Sequence, residues 1–189
     1  MQRTATEAVN GHLTDMLALE DQLERTLRAR VEQVKKRLPE VADRLQPIHT
    51  HAERHTRVLR ALSEARDGRY AEALRDSEPP GRPGGAAEGG IDPLPGELRN
   101  DFAALCRASI GYVMLATTAR ALDEPATAEL AEGHLGDYAD AVKGFHSVIP
   151  AAIVQCLQLE GLPARADLVP ALSGATAAWE AAPPPQLPH

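Results

Sequence analysis

A glutamate stands in this chain where the core of a helix would take leucine. The first helical pattern carries Val9, Leu13, Met16, Glu20, Leu23, Leu27 and Val31 at alternating steps of three and four, which places them all on one face. A carboxylate in the middle of such a stripe is costly to bury unless it is paired, protonated or bound to a cation. Later helical patterns put His55 and His134 on comparable stripes. One carboxylate and two imidazoles directed into a bundle interior is a pattern by which helical proteins hold metal. The stripe therefore constrains both the architecture and the chemistry.

The composition agrees with helix packed on helix. Apolar residues make up 43% of the 189 positions but aromatics only 3%, so alanine and leucine supply the core, which favours helices over a β-rich interior. One well-buried domain is expected at this length. A net charge of -7 argues against a nucleic-acid binder, which needs a basic face. Arg57, Arg60, Arg66 and Arg69 cluster, but the acidic residues among them predict a solvated helix surface. Cys106 and Cys156 have no CxxC spacing, so zinc-finger and redox readings fail, and buried free thiols are expected. No basic stretch leads into an apolar run at the N-terminus, and no segment is read as spanning a bilayer. A cytoplasmic protein with no membrane association is the expectation.

The pattern divides into four helices. The first starts near Thr4 or Thr6 with Glu7 in reach for capping, and runs to about Arg37. The second follows Leu38-Pro39, carries Val41, Leu45, Ile48, Ala52, His55, Leu59 and Leu62, and ends near Asp67 or continues weakly to Leu74, with a kink expected at Pro47. Residues 76–96 are dominated by glycine and proline and read as a flexible linker long enough to cross a bundle and join two parallel helices. The third helix is expected after Pro95, with Leu98, Phe102, Leu105, Ser109, Tyr112, Ala116 and Ala119 inward. Asp123 is expected to cap the fourth, which carries Ala131, His134 or Leu135, Tyr138, Val142, Phe145 and Ile149 to about Gly161. Gly111, Gly133, Gly136 and Gly144 suggest close approach of neighbouring backbones. After Gly161, Leu168, Val169, Leu172 and Trp179 predict a short docking segment ahead of a disordered proline-rich tail over 162–189. The fold class is thus all-α: a bundle over 4–161, built as two antiparallel hairpins joined by a long crossover.

Three segments resemble a known family. Leu13-Thr14-Asp15-Met16-Leu17-Ala18-Leu19-Glu20, His51-Ala52-Glu53-Arg54-His55 and Ala128-Glu129-Leu130-Ala131-Glu132-Gly133-His134-Leu135-Gly136-Asp137-Tyr138 resemble a bacterial ferritin-like stress-protein family, across about Thr6 to Gly161 outside the linker. The resemblance implies a ferritin-like bundle and a link to stress. Such bundles hold di-iron with one glutamate from each of two helices and a Glu-x-x-His pair from each of the others. Glu20 matches the first glutamate, and His55 and His134 match the histidines. Ala52 and Ala131 stand where the paired carboxylates belong, and the third-helix glutamate falls at Ala108 or Ser109. Glu53 and Glu132 point about 100° away on an ideal helix. Asp137, one turn from His134, is better placed.

Too few carboxylates remain to neutralise two irons. A mononuclear site of Glu20, His55, His134 and Asp137, taking one iron, manganese or zinc ion, is one reading, and it would allow an oxidoreductase. The bland reading has the larger share: a metal-free relic in which Glu20 pairs with His55 or His134, more a non-enzyme than an enzyme. His49, His51 and His55 invite adventitious surface metal binding, but no HExxH motif accompanies them. No GxSxG, P-loop or GxGxxG motif occurs either. The expected partners are a second copy in a homodimer and, in a scaffold reading, a protein held by the linker or the tail.

Overall fold

The computed structural model describes residues 4–67 and 92–170. Among these the chain is all-helical, with four long helices forming a bundle and no strand. α1 spans Ala5–Val34, α2 Pro39–Asp67, α3 Leu94–Ala121 and α4 Pro125–Leu159, and a single 3₁₀ turn follows at Ala166–Leu168. The expectations for Leu74, Arg69, Leu172, Trp179, the proline-rich end and most of the 76–96 linker lie outside the described residues.

Local chemistry sets the helix ends. Thr4 caps α1 in a reciprocal box: the Glu7 N–H donates to Thr4 Oγ1 at 3.2 Å, and the Thr4 N–H donates to Glu7 Oε2 at 2.8 Å. α3 begins one residue ahead of Pro95, which sits in the first turn where its missing N–H costs nothing. Asp123 does not cap α4. It takes a left-handed φ of 56°, and the tight joint is closed by Glu124 N–H donating to the Ala119 carbonyl at 2.9 Å. The Glu124 side chain turns to Arg66 Nη2 at 2.7 Å instead. α4 stops at Gly161, whose φ of +79° suits glycine, and the Leu162 N–H reaches back to the Leu157 carbonyl at 3.0 Å.

α1 packs against α2 and α3, and α4 packs against the same two. One continuous apolar core runs between them, from Val9 through Leu45, Leu105 and Phe145 to Cys156. The α2 stripe is buried as expected, with Leu62 only partly so. On α3 the buried line runs through Leu98, Asp101, Leu105, Ala108, Tyr112 and Leu115, so Phe102 and Ser109 sit one residue off centre. Asp101 is therefore inside, held by the buried Arg30 of α1 at 2.8 Å. Cys156 is buried but Cys106 is half-exposed, and both are free thiols.

α3, the helix glycines and Leu168 depart from expectation. α3 is, by length and composition, long and apolar enough to cross a bilayer, contrary to the sequence reading. None of the four glycines shows a neighbouring backbone within reach: at Gly111 an added Cβ would run into the Met16 side chain of α1. Gly133 and Gly136 face open space, and Gly144 meets only ordinary contact with Ile48. Leu168 does not dock: it is exposed.

Candidate functional site

Glu20 lies at mid-length of α1 with no exposure to solvent, and each of the other three helices sends a polar group to it. Tyr112 of α3 donates its hydroxyl to Glu20 Oε1 at 2.5 Å. Tyr138 of α4 donates to Oε2. His55 of α2, also fully buried, places Nδ1 3.3 Å from Oε1. Both carboxylate oxygens are thus served by protein donors, which is what a buried carboxylate requires.

The network extends in two directions. His134 Nδ1 stands 3.0 Å from the Tyr112 oxygen. Since the phenol gives its only hydrogen to Glu20, the ring nitrogen is the donor to Tyr112. On the other side, His55 Nε2 lies 2.9 Å from Asp137 Oδ2, and Arg54 pairs with the same aspartate at the half-buried rim. His55 is flanked by two carboxylates, which only accept, so both bonds form together when each ring nitrogen carries hydrogen. The His55 and His134 rings stack with centroids 3.8 Å apart and planes 13° from parallel.

Burial governs the proton affinities. Burial pushes His134 down to about 3, reinforced by the neighbouring His55, so its ring is neutral at ordinary pH. Burial, then the charge of Glu20, pushes the Tyr112 and Tyr138 hydroxyls well above the usual phenol range, so they stay donors. For Asp137, burial opposes ionisation, but the hydrogen bonds from His55 and Arg54 outweigh it and hold the carboxyl below its ordinary value.

Glu20, His55, His134 and Asp137 thus share one cluster, but their donor atoms face one another and the tyrosines. His55 spreads its two nitrogens toward opposite carboxylates, and His134 turns its Nδ1 to Tyr112. Among the described residues no three Asp, Glu, His or Cys side chains converge as a metal would need. Asp137 serves His55 and Arg54, not His134. Glu53 and Glu132 point outward to Arg57 and Arg120. His55 is no surface ligand beside His51, because it is wholly inside.

Tyr112, Tyr138 and Arg54 were missed as site residues. The available signal was scarcity: the chain has only three tyrosines, and two fall on inward stripes facing Glu20. Comparison with known protein families, curated proteins and solved structures finds no match to this chain.

Proposed function

We propose that this chain is a ferritin-like bundle in which a metal-free hydrogen-bonded cluster takes the place of the di-iron centre, and that it is a non-catalytic, stress-associated protein. The observation that carries the reading is Glu20 accepting from Tyr112 and Tyr138, one hydroxyl on each oxygen, with His55 beside them. The two phenol hydroxyls solvate the buried carboxylate where a cation would otherwise coordinate it, and they need neither redox chemistry nor an exchangeable ligand.

The order of contacts supports the ferritin-like topology. Arg30 and Gln33, late in α1, meet Asp101 and Glu97, early in α3. Arg66 at the end of α2 meets Glu124 and Thr127 at the start of α4, while Glu40 at its beginning meets Gln155. Neighbouring helices then run antiparallel, as two hairpins. Asp67 and Asp92 fall at opposite ends of the bundle, a separation that needs a long crossover.

A second reading, a mononuclear metal protein using Glu20, His55, His134 and Asp137, draws on the half-buried rim at Asp137, where an ion could enter. Metal analysis of untagged protein, purified without chelators, separates the two. The proposed reading expects well under one tenth of an atom of iron, manganese or zinc per chain, on the order of background, and a melt indifferent to chelator. Stoichiometric metal whose removal lowers the melting temperature would overturn it.

A further inference from the structure

Both phenols at Glu20 share their only proton with a carboxylate oxygen, Tyr112 with Oε1 at 2.5 Å and Tyr138 with Oε2, and neither ring is exposed to solvent. Burial, then the charge of Glu20, holds each hydroxyl well above the usual phenol range, so neither releases a proton alone at ordinary pH. Loss of an electron is a different matter. A phenol that gives up an electron becomes a strong acid, and here the base that takes its proton is already hydrogen-bonded to it. No water is needed, and a buried anion is replaced by a neutral acid beside a neutral radical, which lowers the cost of burial.

We propose that the Glu20 cluster is a one-electron redox site, in which Tyr112 is oxidised to a tyrosyl radical while its proton passes to Glu20. The inference rests on the metal-free reading, since a cation on Glu20 would occupy the base. The step balances: the Tyr112 O–H bond breaks, an O–H bond forms at Glu20 Oε1, and the electron goes to an outer-sphere one-electron oxidant at the protein surface. Reduction by a surface donor returns the proton to Tyr112. His134 makes Tyr112 the resting place of the radical, because its Nδ1–H, 3.0 Å from the phenol oxygen, still donates there after the proton has left. Tyr138 is the way in. Its ring lies 5.8 Å from that of Tyr112 in a T-shaped contact, and it follows Asp137, whose side chain stands at the half-buried rim. The cysteines compete poorly, since burial pushes both thiols up and keeps the easily oxidised thiolate scarce.

Flash photolysis of tris(bipyridine)ruthenium(II) with a sacrificial electron acceptor supplies such an oxidant to the full chain, and electron paramagnetic resonance of frozen samples reads the radical. In a Tyr70→Phe, Trp179→Phe background the phenols at Glu20 are the only tyrosine or tryptophan rings left. A tyrosyl signal is expected there, and the further double change Tyr112→Phe with Tyr138→Phe should abolish it. Glu20→Gln, whose amide is no base, should cut the yield at least about tenfold while circular dichroism shows the helices intact. A hydrogen bond to a phenoxyl oxygen lowers the g component along its C–O bond. His134→Leu should therefore raise that component, but not when Tyr112→Phe has moved the radical to Tyr138. No tyrosyl signal, a yield indifferent to Glu20→Gln, or a g component indifferent to His134→Leu would overturn the proposal. Metal measured in the same samples keeps the two readings apart: stoichiometric metal sinks the metal-free reading, whereas metal-free protein that forms no radical sinks this inference alone.

Discussion

The decisive perturbation is a double-mutant cycle between Glu20 and Tyr138. Tyr138 is the donor to Glu20 Oε2, and both side chains are fully buried. Tyr138→Phe alone leaves half of a buried carboxylate without a partner, which should cost about 2–4 kcal/mol. In a Glu20→Leu background the sign reverses. There the hydroxyl has lost its acceptor, and its removal should recover about 1–3 kcal/mol. The coupling energy is then at least about 3 kcal/mol, far above the few tenths expected of independent sites. Urea denaturation of the four proteins at pH 7, followed by circular dichroism, measures it directly. Glu20→Leu by itself removes the desolvation of the carboxylate but leaves the buried hydroxyls of Tyr112 and Tyr138 without an acceptor, so it should cost about 1–3 kcal/mol. A coupling below about 0.5 kcal/mol would mean that something other than Tyr138 satisfies Glu20 Oε2. The metal-free reading would then fail.

Three further outcomes follow from the same geometry. His134 has its folded-state value depressed to about 3, so its contribution is complete above its ordinary value of 6.5 and is lost as pH falls toward 3. Urea melts between pH 7 and 4 should lose up to about 1.4 kcal/mol per pH unit below 6.5, and His134→Gln should flatten that slope. Asp101→Ala strips the buried Arg30 of its deeper partner and should cost about 3 kcal/mol in the same assay, with Glu97 still in place. Gly133→Ala and Gly136→Ala, with open space around each, should raise stability by about 0.5–1 kcal/mol, whereas Gly111→Ala should show no such gain because Met16 occupies the room.

How much of this could be read from the sequence depended on how amphipathic each helix is. α1 and α2 alternate apolar and charged residues sharply, so their stripes, including Glu20 and His55, matched the buried faces. α3 is apolar on both sides, and periodicity could not tell the face toward the core from the face toward Ile110 and Met114. The expected stripe came out one residue away from Asp101 and Ala108 for that reason. The tyrosines escaped for another: an aromatic on an inward stripe is usually core, and only the three-dimensional meeting of α3 and α4 with Glu20 makes them donors. Arg30 and Asp101 were invisible as a pair, being 71 residues apart with no local pattern joining them.

The placement of the polar groups explains why a bundle lined with alanine and leucine keeps one register. Alanine and leucine recurring at helical spacing pack almost equally well after a shift of one helical turn, about 5.4 Å. Glu20 does not permit that shift, because its partners come from α2, α3 and α4 together and each bond is directional. A one-turn slip of α4 would strand Oε2 inside, at a cost of several kcal/mol, and a slip of α2 or α3 would strip Oε1 of one of its two partners. Arg30 with Asp101 repeats the device higher in the bundle, between α1 and α3 only. The carboxylate that weakens the core in isolation is thus the group that sets the axial positions of all four helices, and Tyr138 is where that coupling can be measured.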